Sequence, residues 1–378
     1  MGGDDVTEES AAFRAAVRCE LPPLTADLEV PPATTLGVIG PNGAGKSTLL
    51  GVLAGLRRTP GSEVWLGERV LQGRGVFVEP HRRSVVLLEQ KAKLFPHLDV
   101  RRNVAFGPAA AGLSRRAARA RAEHWLEAVG VAHLADRMPS QLSGGQAQRA
   151  AIARALATEP SVLLLDEPFA ALDVDVAQQM RTLVRSLLSE RAGCTVLVTH
   201  DLVDIVGLAD TVAVLDHGRL VQTGPTTEVL THPETSFAAS LSGVNLVTGR
   251  FAGSSTIEGP QGITVVGEPS EPLTAGQAAA AAFSPRAVAV YPQAPHGSPR
   301  NSWTGTVTEV MPRGDHAVVW SDCGGVRIGA EVTWESVAEL GLGHGSPVFL
   351  VVKATEVRIY GTVGPASVFS DPAESDRL

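Results

Sequence analysis

The stretch Gly40-Pro41-Asn42-Gly43-Ala44-Gly45-Lys46-Ser47 decides the fold of this chain. It follows a short apolar segment, Leu36 to Ile39, which is typical of a buried strand. It precedes Ser47 to Leu56, a segment typical of a helix that opens with hydroxyl residues. Glycines allow the backbone to curl so that amide N–H groups point inward, and the helix adds its positive end. The pattern predicts a loop that binds nucleotide phosphates and includes Thr48 directly after it.

Four side chains in and beyond this loop have predicted chemical roles. Lys46 is expected to reach the β- and γ-phosphates of ATP, and Ser47 to bind Mg²⁺. A second apolar segment, Val162 to Leu165, ends in two adjacent carboxylates, Asp166 and Glu167. Since ligands collect at the carboxyl ends of parallel strands, Asp166 is predicted to orient Mg²⁺ and Glu167 to polarise the attacking water.

Strand and helix patterns alternate over residues 1–240, which predicts an α/β domain with a mainly parallel sheet. The character changes near Pro233 to Gly243, and short strand patterns follow, separated by Gly and Pro. We therefore expect a second, all-β domain over residues 241–378, a small barrel or sandwich. Further segments support both domains: strands at Ser84–Leu88, Thr195–Val198, Val212–Leu215, Thr304–Val310, Ala317–Trp320, Val326–Val332, Val348–Lys353 and Val357–Tyr360, helices at Arg115–Val129, Gly145–Ala157 and Val176–Glu190, and an irregular Pro285–Pro299.

Composition excludes several classes of protein. The formal net charge is -8 and there is no dense Lys/Arg tract, so general nucleic-acid binding is not expected. The three cysteines, Cys19, Cys194 and Cys323, are odd in number and widely spaced, which argues against a disulfide framework or a zinc cluster. No apolar run reaches the roughly 18 to 20 residues that cross a bilayer. A membrane function would therefore depend on a partner.

The segment Leu142-Ser143-Gly144-Gly145-Gln146, which precedes Asp166, resembles the signature of the ABC ATPase family. Ser143 and the glycine amides open a helix and so form a second anion-binding surface. In that family, this surface caps the γ-phosphate of the ATP held by the other subunit. The resemblance therefore implies a homodimer with two shared ATP sites.

Three further positions match the same family. Gln90 resembles the glutamine that senses Mg²⁺ and couples to the membrane partner. Asp173, in Ala171-Leu172-Asp173, resembles the loop that crosses the dimer interface. His200 resembles the switch histidine that contacts the γ-phosphate and acts with Glu167. The aromatic residue on which the family stacks adenine is missing, and Arg18 or a neighbour stands in that region.

Other segments resemble bacterial importer ATPases in particular. Leu94 to Leu98 and Asn103 to Gly107 look like the part of a helical subdomain, at about residues 92–157, that docks a permease coupling helix. A C-terminal stretch at about residues 298–362 looks like the molybdate-binding mop module of OB-like barrels, although Pro299 replaces the usual alanine. The resemblance assigns an oxyanion to Ser298, Arg300, Asn301 and Lys353, which offer hydroxyl, amide and cationic donors. The alternative is that these residues close a structural barrel without binding anything.

The whole chain is similar to molybdate importer ATPases. This resemblance implies a peripheral protein on the cytoplasmic face of the cell membrane, with integral-membrane permease subunits and an extracytoplasmic oxyanion-binding protein as partners. An importer ATPase for sulfate, ferric iron or polyamine is the alternative within the class. A soluble ABC ATPase without transport and an oxyanion sensor are the alternatives from other classes.

Overall fold

The computed structural model describes residues 11–170 and 172–362. The chain forms two compact units, Met1–Thr226 and Thr227–Leu378. The sequence pattern placed the division at residue 240, and in the structure it lies earlier, after Thr226. Residues just after Thr227 associate with the second unit, because the hydroxyl of Tyr360 donates to the carbonyl of Pro233 at 2.7 Å.

The first unit contains one large sheet and six helices within its described residues. The helices are α1 Lys46–Leu53, α2 Val100–Ala110, α3 Arg115–Ala128, α4 Gly144–Leu156, α5 Val174–Ser189 and α6 Leu202–Leu208. The strands are β1 Phe13–Glu20, β2 Pro23–Val30, β3 Thr35–Ile39, β4 Glu63–Leu66, β5 Arg69–Gly73, β6 Val76–Phe77, β7 Val85–Leu88, β8 Val162–Asp166, β9 Cys194–Val198, β10 Thr211–Asp216 and β11 Arg219–Pro225.

The sheet is mixed, with the strand order β6-β5-β4-β1-β2-β11-β10-β3-β9-β8-β7. Strands β10, β3, β9, β8 and β7 pair in parallel, and all five were predicted from apolar segments. Strands β1, β2, β4, β5 and β6 pair antiparallel and extend the sheet on one side. The predicted α/β fold is confirmed, and the antiparallel extension is an addition to it.

Burial on both faces explains the apolar character of the central strands. Along β8, Val162 and Leu164 pack into the core that contains α1. Leu163 and Leu165 pack into the opposite core, which contains α4 and α5. The ends of these strands are therefore held rigidly between two cores, and the polar residues that follow them share one edge.

The second unit is all-β apart from short helices. It contains α7 Thr226–Thr231, α8 Ser236–Ser242, β12 Asn245–Gly253, β13 Thr256–Glu258, β14 Thr264–Val266, β15 Glu268–Pro269, β16 Ala278–Phe283, β17 Ala289–Tyr291, β18 Asn301–Arg313, β19 His316–Cys323, β20 Val326–Thr333, α9 Trp334–Glu339, β21 Pro347–Val352 and β22 Arg358–Gly361. Two sheets, β14-β13-β12-β16-β22-β15 and β17-β21-β18-β19-β20, share one apolar core. Part of the segment that was expected to be irregular, Pro285 to Pro299, forms β17.

The two sheets are built from a repeated sequence unit. Ser242-Gly243-Val244-Asn245-Leu246-Val247-Thr248-Gly249 and Ser298-Pro299-Arg300-Asn301-Ser302-Trp303-Thr304-Gly305 share Ser, Asn, Thr and Gly at equal spacing. Each repeat starts the first long strand of its sheet. A Cβ at Gly249 would lie 2.1 Å from the carbonyl oxygen of Glu258, and one at Gly305 would lie 2.7 Å from Sγ of Cys323. Both glycines therefore allow a close approach of the next strand.

Two buried asparagines tie each sheet to the other. The amide of Asn301 accepts from the N–H of Val266 at 2.7 Å and donates to its carbonyl at 2.8 Å. The amide of Asn245 makes the same pair of bonds with Gly329, at 2.7 and 2.9 Å. Because β12 and β18 lie in different sheets, the two pairs of bonds run in opposite directions between the sheets and close the unit.

Asn301→Ala is expected to destabilise the second unit by about 2 to 4 kcal/mol, because it leaves two backbone groups of Val266 without a partner. Hydrogen exchange measured peptide by peptide should show faster exchange over β14. Ser302→Ala, at the exposed neighbouring position, is the control and should leave that exchange unchanged. Equal protection of β14 in the two variants would contradict the closing role of Asn301.

Candidate functional site

The glycine-rich loop connects β3 to α1, as the sequence predicted, and residues Gly40 to Ser47 are called the phosphate loop below. Gly43 and Gly45 have φ values of 80° and 107°, which favour glycine over other residues. At Gly40, a Cβ would lie 2.0 Å from the carbonyl oxygen of Leu215. The loop therefore has its curled shape only because glycine stands at these positions.

The N-terminus of α1 differs from those of α4 and α6 in the first unit. Helix α1 has no side-chain cap and no acidic residue in its first turn. By contrast, α4 and α6 are capped by Ser143 and Asp201. An uncapped helix start presents N–H groups and a positive dipole, which suit an anion such as phosphate. The loop is therefore suited to bind phosphate groups.

Lys46 lies over the loop with its side chain 9% exposed. Its amine donates to the carbonyls of Gly40 and Pro41, at 2.6 and 2.9 Å. Burial lowers the pKa of Lys46, and the nearby carboxylates of Glu167 and Asp166 oppose this shift. The ammonium is thus held between the curled backbone and two carboxylates, where a polyphosphate would be bound.

Carboxylates crowd together at the end of β8. Burial raises the pKa of Asp166, and the negative charges of Glu167 and Glu89 add to the effect. A divalent cation would relieve this repulsion, and Mg²⁺ prefers oxygen ligands such as the Asp166 carboxylate and the Ser47 hydroxyl. Within residues 11–170 and 172–362, no group of three or more His, Cys, Asp or Glu could hold a metal ion alone. The donor set therefore fits a cation that also takes ligands from phosphates.

Glu167 brings two other predicted residues to the same place. Its carboxylate lies 3.4 Å from Nε2 of Gln90 and 3.1 Å from Nδ1 of His200. The backbone of Glu167 has a φ of 45°, a conformation that is uncommon for a residue with a side chain. Its N–H donates to the carbonyl of Val198 at 2.8 Å, which holds this conformation in place. Strained backbone of this kind is concentrated at functional sites.

The Ser143 segment lies in a different place. The Ser143 hydroxyl accepts from the N–H of Gln146 at 3.3 Å, and the Gln146 side chain accepts from the N–H of Ser143 at 3.1 Å. This segment and Asp173 line an open cleft of about 410 Å³. The residues of the phosphate loop do not line this cleft. The structure thus places Gln90, Asp166, Glu167, His200 and the phosphate loop at one sheet edge, and Ser143, Gly144, Gly145, Gln146 and Asp173 around a separate cleft.

Comparison with known proteins identifies a family for each of the two units. The ABC transporter family matches residues 25–170, and the TOBE domain family matches residues 297–359. The molybdenum import ATP-binding protein ModC of Mycobacterium tuberculosis H37Rv is 47% identical over 347 residues, which are 89% of this chain and 94% of that protein. The chain belongs to the import ATP-binding proteins of the ABC transporter family.

Other relatives match a smaller part of the chain. The sulfate/thiosulfate import ATP-binding protein CysA of Synechococcus elongatus is 42% identical over 217 residues, 57% of this chain and 62% of that protein. The solved structure of cbiO1 from Clostridium perfringens, part of the ABC transporter complex cbiONQ, has a TM-score of 0.53 and 27% identity. It covers 59% of this chain and 92% of that chain. The ABC ATPase fold predicted for the first unit is confirmed.

The predicted oxyanion residues fall into two groups in this family member. Asn301 is 1% exposed and uses both ends of its amide on the backbone of Val266, which is the structural role that the alternative predicts. Ser298, Arg300 and Lys353 are exposed. Asn301 pairs with Val352 in the antiparallel register of β18 and β21. Arg300 comes directly before Asn301 and Lys353 directly after Val352, so both lie at the same end of this strand pair.

Arg18 does not offer a free guanidinium for adenine. It forms a bidentate pair with Asp27, at 2.6 and 2.8 Å, and this hydrogen bonding raises the pKa of Arg18.

Gln148 was not predicted from the sequence as a residue that supports the site. It is 3% exposed and donates to the carbonyl of Pro168, the residue after Glu167, at 2.9 Å. Its position two residues after Gln146, on the apolar side of α4, was the available signal.

Asp166→Asn is expected to raise the Tm of the Mg²⁺-free protein at pH 7. The raised pKa means that ionised Asp166 disfavours the folded state at every pH above that pKa. The gain should therefore shrink as the pH falls through the raised pKa, and it should vanish below the ordinary value of 3.8. Differential scanning calorimetry in the presence of a chelator would measure this gain in Tm. Mg²⁺-dependent ATP binding should weaken in the same variant.

Glu127→Gln removes an exposed carboxylate from α3 and is the matched control. It should change neither Tm nor ATP binding. An unchanged or lower Tm for Asp166→Asn at pH 7 would contradict the crowding of charge at the end of β8.

Proposed function

We propose that this chain is the ATP-hydrolysing subunit of a molybdate importer, acting as a homodimer on the cytoplasmic face of the cell membrane. Its partners are two integral-membrane permease subunits and an extracytoplasmic oxyanion-binding protein. The observation that carries the proposal is the division of the site into two separate parts, together with the relationship to ModC over 89% of the chain.

Each part of the site lacks what the other provides. The phosphate loop has an uncapped helix and Lys46 for the triphosphate, but only the nearby residues of its own sheet edge. The cleft around Ser143 has a helix start and adjacent glycines, but no lysine or catalytic carboxylate among its lining residues. A second copy, turned to face the first, would supply Ser143 to Gln146 and Asp173 to each phosphate loop.

The residues at the sheet edge then divide the chemistry. The loop and Lys46 hold the triphosphate, and Mg²⁺, bound by Ser47 and Asp166 with Gln90 nearby, would neutralise charge on the phosphates. Glu167 orients and polarises the attacking water. His200, 3.1 Å from Glu167, holds the carboxylate towards that water and contacts the γ-phosphate. Hydrolysis would separate the two copies and reset the transporter.

The helical part of the first unit offers a surface for the permease. The amide of Asn103 is buried and bonds to Phe95 and to the carbonyl of Leu98, at 2.7 to 3.1 Å. This holds Phe95 against Phe106, with ring centroids 4.7 Å apart, although Phe106 is 51% exposed. An exposed aromatic residue on a rigid base suits a protein interface. In the described part of the chain, every helix is too short or too polar to span a bilayer.

The second unit favours molybdate over the other importer substrates. The CysA relatives are 37–43% identical and match only 57–64% of this chain, whereas ModC matches 89% of it. Ser298, Arg300 and Lys353 gather at one end of β18 and β21 and can donate to a tetrahedral oxyanion.

Glu167→Gln is expected to bind ATP, lower turnover by at least about a hundredfold and accumulate as a dimer, because only the water-polarising group is lost. Light scattering after gel filtration with ATP and Mg²⁺ would measure the dimer, which should be absent with ADP. Adding Ser143→Arg to this variant should prevent dimerisation while ATP binding to the phosphate loop persists.

Two comparisons decide this prediction. Ser186→Arg, an exposed position on α5 outside the cleft, should leave the Glu167→Gln dimer intact. A mixture of Glu167→Gln/Lys46→Ala and Glu167→Gln/Ser143→Arg should form a heterodimer, since one complete site remains. An ATP-bound Glu167→Gln protein that stays monomeric at all concentrations would refute the shared site.

The substrate is tested by uptake in a strain that lacks its molybdate importer ATPase. This chain, produced with its permease, should restore growth on nitrate at low molybdate, because nitrate reduction depends on molybdenum. Calorimetry of the full-length protein should show heat with molybdate and tungstate and little with sulfate, and Lys353→Ala should weaken it. Restored sulfate uptake without molybdate uptake would favour the sulfate alternative.

A further inference from the structure

A buried ionic network supports the segment that carries His200. Arg181 on α5 donates from Nε to Asp204 and from Nη2 to Asp201, each at 2.6 Å. The second oxygen of Asp204 accepts from the hydroxyl of Thr199, also at 2.6 Å. Asp201 and Thr199 are the two neighbours of His200 along the chain. Arg181 therefore binds both sides of the switch histidine, directly on one side and through Asp204 on the other.

The network is costly to bury, so its position calls for an explanation. The side chain of Asp204 is 4% exposed and that of Arg181 is 15% exposed. A buried ion pair of this kind adds little stability over apolar packing, because both groups lose their hydration. Its geometry is nevertheless well defined, with a planar guanidinium bridging two carboxylates. The arrangement suits a role in holding a segment at one position more than a role in stability.

His200 itself has few restraints. Its side chain is 62% exposed, and its contact with Glu167 is at 3.1 Å. The imidazole is therefore positioned mainly by the backbone on either side of it. Asp201 adds a second restraint, because its Oδ1 accepts from the N–H of Val203 and so fixes the start of α6.

Arg181 also contacts the segment that follows Glu167. Its Cζ lies 5.7 Å from the ring centroid of Phe169, and Phe169 is 2% exposed. The carbonyl of Phe169 accepts from the N–H of Leu172, which precedes Asp173. One guanidinium thus lies between the His200 segment and the segment that leads from the catalytic carboxylate towards the cleft.

We infer that Arg181 is a positioning residue for ATP hydrolysis. It holds His200 in position next to Glu167 and links this position to the segment that leads to Asp173. The inference rests on the proposed function of Glu167 and His200. Arg181 acts through the two neighbours of His200. Displacement of a catalytic group by about 1 Å can cost a hundredfold in rate, so loss of the network should lower turnover.

Arg181→Gln is expected to lower kcat for ATP about tenfold to a hundredfold, while the Kd for ATP stays within about twofold. The kcat of Arg181→Lys should lie between those of the unchanged protein and Arg181→Gln, since an ammonium keeps the charge but lacks the planar fork. Arg185→Gln, an exposed arginine one turn later on α5, is the control and should leave kcat unchanged. Steady-state kinetics and calorimetric ATP binding would separate kcat from affinity.

A double-mutant cycle with His200→Ala distinguishes positioning from general stability. If Arg181 acts through His200, Arg181→Gln should cause little further loss in the His200→Ala background. Losses that multiply, a parallel loss of ATP affinity, or an unchanged kcat in Arg181→Gln would each overturn the inference. Full turnover in His200→Ala alone would instead refute the proposed catalytic role of His200.

If Arg181→Gln does not fold, Asp201→Asn provides the same test. It removes the more exposed carboxylate, which is 40% exposed, and keeps the pair between Arg181 and Asp204 and an acceptor for Val203. A smaller loss of kcat, again absent in the His200→Ala background, is the expected result. A loss of kcat that persists in full in that background would overturn the inference.

Discussion

The register of three parallel strands is the constraint on which the site depends. Val38, Val198 and Asp166 stand side by side on β3, β9 and β8. The residues after these positions are therefore the phosphate loop, the His200 segment and Glu167, and all of them emerge at one edge. The N–H of Glu167 donates to the carbonyl of Val198, so the pairing of β8 with β9 continues into the residue whose φ is 45°. A shift of one residue in any of these strands would turn its polar group towards the opposite face of the sheet.

Charge at this edge is arranged for a bound ligand more than for the stability of the protein. Burial lowers the pKa of Lys46 and raises that of Asp166, so each environment disfavours the ionised form. A polyphosphate with a divalent cation supplies both missing charges, since the anion stabilises the ammonium and the cation stabilises the carboxylate. The charge distribution therefore suits a polyphosphate bound together with a divalent cation. Costs of this kind are typical of sites in which function and stability compete.

The sequence predicted the five parallel strands, α1 and the residues at the sheet edge, because buried apolar segments ending in glycine or carboxylate have few other structural explanations. It did not reveal β1 and β2, in which small residues such as Ala15 and Ala26 weaken the contrast between the two faces. It also did not reveal β16, whose five alanines favour a helix by propensity. This segment is a strand because both of its faces are buried: Ala280 and Ala282 pack with Tyr360, and Ala279, Ala281 and Phe283 belong to the main core of the second unit. The Arg181 network could not be predicted from the sequence, because Thr199, Asp201 and Asp204 lie 18 to 23 positions from Arg181 and only the fold brings them together.

The second unit shows the same difference between what a local sequence pattern predicts and what tertiary contacts decide. The resemblance to the mop module marked Asn301 for a ligand, but the chain uses that residue, like Asn245 in the first repeat, to hold the two sheets together. Closure by a buried amide leaves the neighbouring Ser298, Arg300 and Lys353 exposed on a rigid support. A rigid support lowers the entropy lost when a small anion is bound, so a closing role for Asn301 favours anion binding beside it. The structural explanation of Asn301 is therefore compatible with the proposed binding of an oxyanion by its exposed neighbours.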